Sequence, residues 1–437
     1  MSIINVIYTA ALILCLPYLS IKLLTKKRYR AGITQRLGWV ERRKGSSPCV
    51  WIHCASVGEV IEIKTLVKYL EKGFNTWDIV LSVNTNTGFC VAEKYFPEKR
   101  VFYFPLDLSW IVDKVLHAIH PECMIFIELE LWPNVLIAAA ERNIPIVLLN
   151  ARISEKSVKW FRMINKISKK FSEGLTKKEN VFCARTGTDA ARLMNLGISQ
   201  TQIRITGNMK FDNIVTEVSE DTKTRLIQQF GIGKQDKVIV CGSTHKGEES
   251  ILLRIFQRMR KKFKTLRLIL VPRHIERADE IITLIKSMEL SYIKKTTLDK
   301  GNKADRHVYE TVILIDTVGE LSAIYSIADC VFVGKSLVPE GGQNVLEPAG
   351  LAKPVIVGPY TFNFHEEVQL LKKADALRIV QDETSLLNAM EYILEHPDDA
   401  RKVGERAQSV VISQKGATDR NWKVLKKILL KERATSV

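Results

Sequence analysis

Short apolar runs rich in β-branched residues alternate along the chain with stretches whose apolar positions recur at helical spacing. In the first half the runs are Val50–His53, Ile79–Val83, Val101–Phe104, Cys123–Ile127, Ile144–Leu149, Val181–Ala184 and Ile203–Thr206. In the second they are Val238–Gly242, Leu266–Val271, Val312–Ile315, Cys330–Val333 and Val355–Val357. Continuous apolar runs of this kind mark strands buried on both faces of a parallel sheet. Their alternation with helices predicts βαβ units and an α/β fold. At 437 residues the chain exceeds what one core ordinarily holds, so two domains are expected. The polar stretch Thr216–Lys223 reads as the linker. The predicted domains are 35–212 and 220–412, and the basic amphipathic tail over 413–437 is expected to pack back on the first.

Two further stretches break the alternation. Residues 3–21, IINVIYTAALILCLPYLSI, carry no charge, and Lys22, Lys26, Lys27, Arg28 and Arg30 follow. A bilayer core takes about 20 apolar residues. Positive charge after the run, not before it, predicts a retained anchor over 1–22 with the rest of the chain on the cytoplasmic face. Pro17 interrupts a straight span, which makes a shallow monotopic helix the alternative and a buried globular helix a third reading. Residues 158–171, VKWFRMINKISKKF, predict a basic amphipathic helix, either touching a membrane surface or presenting a solvated face.

Composition narrows the class. Hydrophobic residues make up 46% and charged residues 26%, as in a folded globular chain. The net charge of +17 implies anionic partners: nucleic acid, acidic lipid or a phosphorylated substrate. The basic residues are not interleaved with aromatics for base stacking, which argues against a membrane-tethered nucleic-acid-binding protein. Eight scattered cysteines without a CxxC read as reduced thiols in a cytosolic compartment. No histidine pair has ligand spacing, so no metal is expected.

In open α/β sheets ligands bind beyond the carboxyl ends of the strands, and the polar motifs fall there. HCASVGEV (53–60) places Glu59 at a helix start, where the dipole is expected to lower its pKa. It is a candidate general base, or a plain helix-start glutamate. NTNTG (84–88) binds a polar ligand or caps a helix. FIELELWPN (126–134) carries Glu128 and Glu130, which strand alternation would set on one side. Arg152, in LNARISEKS, is a candidate partner for either. Lys210, in GNMKFD, is a cation for an anionic ligand. The second half offers STHKGEE (243–249), Arg273 in VPRH, Gly319 in DTVGEL, and GKSLVPEGGQNVLEPAG (334–350). In the last, paired Gly341 and Gly342 precede Asn344 as N-cap of a helix over Val345–Leu351, a cradle for phosphate. Glu347 could accept from a ribose diol, or Asn344 and Glu347 could simply satisfy each other.

Two Rossmann-like halves with a nucleotide loop in the second describe a GT-B glycosyltransferase. The ordered set ASVGE, ELELWPN, NARIS, GNMKFD, STHKGEE, VPRH, GGQNVLEPA and GPYTFNFHE resembles the bacterial Kdo transferases of lipopolysaccharide synthesis, nearly end to end. Lys335, Gln343 and Lys156 depart from the family's usual Gly, His and Arg. The resemblance implies a GT-B fold, two Rossmann-like domains facing a cleft, with an N-terminal membrane anchor. It implies inverting transfer of 3-deoxy-D-manno-octulosonic acid (Kdo) from CMP-Kdo to a lipid A precursor at the cytoplasmic face of the inner membrane, against anionic lipid and without nucleic acid, metal or other cofactor. By the same resemblance Glu59 is the proton acceptor, and Glu128 and Lys210 stabilise the transition state. CMP is held by Pro272, Arg273, Val318, Gly319, Glu320, Asn344, Val345, Leu346 and Glu347. A UDP-sugar transferase acting on a lipid-linked acceptor is the nearest alternative.

Overall fold

The structure is a computed structural model and describes residues 3–25, 30–301 and 311–435. The chain divides into two compact units, Met1–Asn213 with Lys415–Val437, and Ile214–Gln414.

The first unit is built on seven parallel strands: β1 (Cys49–Cys54), β2 (Asp78–Val83), β3 (Arg100–Tyr103), β4 (Cys123–Ile127), β5 (Ile146–Ala151), β6 (Val181–Ala184) and β7 (Ile203–Ile205). Their order is β3-β2-β1-β4-β5-β6-β7. Every residue of β1, β4 and β5 is buried, as continuous apolar runs require of strands covered on both faces. One face packs Trp51, Phe102, Phe126 and Phe182; the other packs Ile52, Leu81, Ile125 and Leu149. The order reverses between β1 and β4, and such switch points open a crevice at the strand ends. The tail helix Ala417–Thr435 seals the second face: Leu425 and Leu429 are fully buried, and Trp422 packs 5.9 Å from both Tyr69 and Phe74.

The second unit repeats the plan with β8 (Lys237–Thr244), β9 (Leu266–Pro272), β10 (Ser291–Lys294), β11 (Thr311–Leu314), β12 (Cys330–Val333), β13 (Val355–Val357) and β14 (Arg378–Ile379). The order is β10-β11-β9-β8-β12-β13-β14, reversing between β8 and β12. The edge strands β10 and β14 escaped the sequence reading because an edge strand with exposed faces carries no apolar run.

Two predicted elements change. The amphipathic stretch is two helices, Glu155–Ile167 and Lys169–Leu175, because Ser168 turns extended and caps the second by accepting from the Phe171 N–H. The first leaves Trp160, Met163 and Ile167 exposed along one stripe.

The uncharged N-terminal stretch is a helix, Ile3–Thr25, whose first turns are seated on the first unit. Ile4 and Asn5 are buried. The Asn5 Nδ2 donates to Ser109 Oγ at 2.7 Å, and its Oδ1 accepts from the Ser109 N–H at 3.2 Å. The Tyr8 hydroxyl bonds Asp107, whose two oxygens accept from the N–H groups of Asn134 and Val135 at 3.0 Å. These contacts dock the start of the helix on the folded domain, and a span over residues 3–21 is not shown. Among the described residues no helix is long and apolar enough to cross a membrane. Beyond the docked turns, Ile13, Leu14, Leu16, Ile21 and Leu24 are exposed. Lys26, Lys27 and Arg28 of the basic flank lie outside the described residues.

Candidate active site

The acids singled out in the first unit lie at the carboxyl ends of the neighbouring strands β1 and β4. After β1, Ser56 takes the extended conformation and caps the short helix Val57–Glu62. The Glu59 carboxyl folds back on that cap, accepting from the Ser56 hydroxyl at 2.9 Å and the Ala55 N–H at 2.7 Å. Glu59 is only 6% exposed. Burial pushes its pKa up to about 8; the Ala55 N–H opposes the rise, and the charges of Glu128 and Glu130 add to it. The expected lowering by the helix dipole is therefore overturned: a six-residue helix lends little dipole, and desolvation outweighs it. The result is a carboxyl poised near neutral pH, the range in which a general base works best.

Glu62 lies one turn further along the same face. It is buried, its Oε2 accepts from Asn150 Nδ2 at 2.6 Å, and burial lifts it to about 7 against the pull of Lys210.

Glu128 sits in the left-handed region at φ +61°. This breaks the strand alternation that would have set Glu128 and Glu130 on one side. Glu128 Oε1 accepts from the buried Arg185 guanidinium and from Lys210 Nζ at 3.1 Å. Burial resists its ionisation, but Arg185 and Lys210 prevail and hold it below the usual carboxylate range. Glu130 turns elsewhere, accepting from Trp132 Nε1 at 2.8 Å and lying 3.4 Å from His53 Nε2. Two carboxyls pushed up and a third held down mark a site where environments separate proton-carrying from charge-bearing roles. Lys210, on the 3-10 turn Met209–Asn213, lies 3.1 Å from Glu128 and 3.8 Å from Glu62.

In the second unit the loops after β8, β11 and β12 converge. Glu248 is fully buried, and its carboxylate accepts four backbone N–H groups: His245 at 2.8 Å, Lys335 at 2.6 Å, and Ser336 and Leu337 at 2.9 Å. It staples the loop after β8 to the loop after β12. Lys335, which departs from the family's glycine, holds φ +61° there, and its ammonium lies 4.0 Å from Glu340.

The predicted helix after Asn344 is shorter, Leu346–Gly350, with Val345 as its N-cap. Asn344 instead bridges locally: its Oδ1 accepts from the Leu346 N–H at 3.1 Å and its Nδ2 donates to Glu347 Oε1 at 3.0 Å. The mutual pairing of Asn344 and Glu347 is thus realised. Glu347 Oε2 also accepts from Ser322 Oγ at 3.0 Å, which joins this loop to the Val318–Gly319–Glu320 turn. Gly319 has φ +93°, and Val318 is 77% exposed. Glu320 accepts from Thr317 Oγ1 at 2.6 Å and lies 3.3 Å from Lys295 Nζ. Pro272 closes β9, and the Arg273 side chain is exposed at that strand end, anchored by its N–H to the Thr244 carbonyl at 3.0 Å. Among the described residues no three His, Cys, Asp or Glu side chains converge as a metal-ligand set.

Sequence reading missed Glu62, Asn150, Arg185 and Glu248. Glu62 lies three residues beyond Glu59 on one helical face, and Asn150 and Glu248 fall inside the LNARISEKS and STHKGEE motifs, but Arg185 carried no local signal.

The profile of the family described as 3-deoxy-D-manno-octulosonic-acid transferase (kdotransferase) matches residues 31–213. A 3-deoxy-D-manno-octulosonic acid transferase of Haemophilus influenzae is 32% identical over 434 residues, covering 97% of this chain and 98% of that protein. The transferase of the same name from Chlamydia muridarum is 29% identical, covering 88% of this chain and 86% of that one. A crystal structure of a glycosyltransferase from Rickettsia africae superposes with a TM-score of 0.56 at 14% identity, over 88% of this chain and 99% of that one. At that identity the likeness is one of fold, two parallel-sheet α/β domains of the GT-B glycosyltransferase kind.

Proposed function

This chain belongs to the 3-deoxy-D-manno-octulosonic acid (Kdo) transferase family, and we propose that it moves Kdo from CMP-Kdo to a lipid A precursor with inversion at the anomeric carbon. The observation that carries the mechanism is the buried Glu59 carboxyl, near neutral in pKa and fixed by Ser56 and Ala55. In its ionised form Glu59 takes the proton of the acceptor hydroxyl. The acceptor oxygen bonds the anomeric carbon as the bond to the CMP phosphate oxygen breaks, and CMP leaves with the electron pair. Glu128, kept ionised by Arg185 and Lys210, offers negative charge to the developing oxocarbenium; Lys210 offers positive charge to the departing anion.

CMP is assigned to the second unit. Arg273 meets the phosphate as an exposed guanidinium at a strand end. The linked loops bearing Val318, Gly319 and Glu320, and Asn344, Val345, Leu346 and Glu347, take the nucleoside; the bridge from Ser322 to Glu347 supports their acting together. A helix as short as Leu346–Gly350 adds little dipole, so the phosphate charge falls chiefly to Arg273. No metal or other cofactor is invoked.

Docking at the cytoplasmic face of the inner membrane is assigned to the exposed half of the N-terminal helix and to the Trp160, Met163 and Ile167 stripe with its flanking lysines, which suit an anionic lipid surface. Flotation with anionic vesicles checks this: Leu14→Asp with Trp160→Asp should reduce binding, while unchanged flotation would remove it.

The test of the reaction is Kdo transfer from CMP-Kdo to lipid A precursor by detergent-solubilised protein, wild type beside Glu59→Ala. Transfer lost while CMP still binds supports both reaction and base. Equal transfer removes the mechanism, and absence of both transfer and CMP binding removes the reading.

A further inference from the structure

Asn150 is fully buried at the end of β5, in the left-handed region at φ +55°. The pairing of β5 with β6 shifts register between Leu148 and Ala151, and a bulge of this kind re-aims one side chain. Here the re-aimed side chain is Asn150, and both its amide nitrogen and its amide oxygen are hydrogen-bonded. Its Nδ2 donates to Glu62 Oε2 at 2.6 Å. Its Oδ1 accepts from the N–H of Met209, the residue before Lys210, at 3.0 Å. Its carbonyl accepts from Arg185 Nε at 3.1 Å, and Arg185 in turn holds Glu128. The side chain therefore ties the helix carrying Glu59 and Glu62 to the turn carrying Lys210, and the carbonyl of the same residue holds the guanidinium that pairs with Glu128.

We propose that Asn150 is a positioning residue for the transfer reaction, setting Lys210 and Glu62 against Glu128. Its catalytic consequence rests on the Kdo-transfer reading above. Asparagine suits the position because it tolerates φ near +55° and presents a donor and an acceptor at once. Aspartate keeps the shape and the acceptor but turns a carboxylate oxygen toward the Glu62 carboxylate.

The experiment compares wild type, Asn150→Asp, Asn150→Gly and the double variant Glu62→Gln/Asn150→Asp, with melting temperature as the folding control. Asn150→Asp should lose roughly 30- to 100-fold in kcat, the scale of a displacement of about 1 Å in a catalytic group. Its KM for CMP-Kdo should stay within about twofold, because the donor is held elsewhere. The ratio of variant to wild-type kcat should improve as pH falls, because a proton shared by the facing carboxyls restores the missing donor. The double variant exchanges donor and acceptor at unchanged net charge; most of kcat should return and the ratio should flatten with pH. A single variant within about threefold of wild type at every pH, or a double variant no better than Asn150→Asp, overturns the proposal. A readout independent of the reaction is acylation of Lys210 by a small amine-reactive ester, followed by peptide mass spectrometry. Asn150→Gly keeps the backbone conformation and removes both side-chain bonds, so Lys210 should react several-fold faster relative to the exposed Lys261. Absence of transfer by wild type would remove the reading and leave the labelling to decide the positioning role; unchanged labelling would overturn it.

Discussion

Replacing Glu59 by glutamine removes an ionisable group from a buried position, and its surroundings set what that does to stability. In the unfolded chain the carboxyl ionises at its ordinary value of 4.5; in the fold it ionises at about 8. Below pH 4.5 both states are protonated, and the group imposes no penalty. As pH rises the unfolded chain releases the proton while the folded chain keeps it, so stability falls until the folded carboxyl itself ionises near pH 8. At about 1.4 kcal/mol per tenfold change in proton activity, the loss is ~3 kcal/mol at pH 7 and levels off at ~5 kcal/mol above pH 8. Glutamine is the isostere of the protonated form: its oxygen accepts from the Ala55 N–H, and its amide donates to the Ser56 oxygen once that hydroxyl rotates. Glu59→Gln should therefore remove most of this pH-dependent loss while abolishing transfer.

The assay is selective because all seven tryptophans (Trp39, Trp51, Trp77, Trp110, Trp132, Trp160 and Trp422) lie in the first unit. Tryptophan-monitored thermal unfolding thus follows the unit that holds Glu59. A stability gain of ~3 kcal/mol raises the melting temperature of a domain this size by about 6–12 °C at pH 7, and the difference should shrink to near zero at pH 4.5. The same carboxyl makes wild-type kcat/KM rise with pH toward a plateau above about 8. Melting curves of wild type and variant that shift in parallel between pH 4.5 and 8.5 would refute the reasoning. Glu59 would then ionise in the fold as it does in water, and a base tuned by burial would have no basis.

Three further outcomes follow from the same geometry. Arg273→Ala removes an exposed side chain, so the melting temperature should hold while CMP affinity drops roughly 10- to 100-fold, as for a lost charged hydrogen bond of about 1.5–3 kcal/mol; calorimetric titration with CMP measures it. Glu248→Ala leaves four N–H groups without their acceptor, and at about 1 kcal/mol or more for each the second unit should lose roughly 4 kcal/mol, read by calorimetry as a lowered transition that tryptophan fluorescence does not follow, together with loss of CMP binding. Arg185→Ala strips the buried partner from Glu128 and should destabilise the first unit by about 3–5 kcal/mol in tryptophan-monitored denaturation, with the Glu128 carboxyl rising in pKa.

The parts of this molecule that were legible in its sequence are those set by burial alone. A strand covered on both faces must be apolar along its length, so β4, β6, β12 and β13 fall on the predicted runs to the residue and the other central strands within a residue or two. Edge strands face no such demand, and β10 and β14 left no trace. Glu59, Glu128 and Lys210 could be placed at strand ends by topology, but their electrostatics could not. The direction of the Glu59 shift was misread because the dipole is visible in a helix start, whereas desolvation depends on what packs over it. One partner of Glu128 is Arg185, brought in from the end of β6, which no local pattern connects to β4. The docking of the N-terminal helix was hidden for a related reason. Its first turns are apolar enough for lipid, yet Asn5 and Tyr8 are there to meet Ser109 and Asp107, and a polar residue two turns into an apolar stretch is explained only once its partner is in place.

The backbone irregularities go further. Glu128, Asn150 and Lys335 all hold positive φ without being glycine, and each sits where a strand ends and polar contacts begin. A regular strand end sends successive side chains to opposite faces, which cannot gather two or three acids with their cations at one point. A left-handed residue breaks that alternation at an energetic cost of order 1–3 kcal/mol, sustained because buried contacts over-determine it. At Glu128 the contacts are Arg185 and Lys210; at Asn150 they are Glu62, Met209 and Arg185; at Lys335 it is the Glu248 carboxylate. Periodicity reads regular structure well and these positions badly, because the site is assembled where the period fails. A search of related chains for polar residues one or two places beyond a buried strand would therefore reach more of the chemistry than the strands themselves reveal.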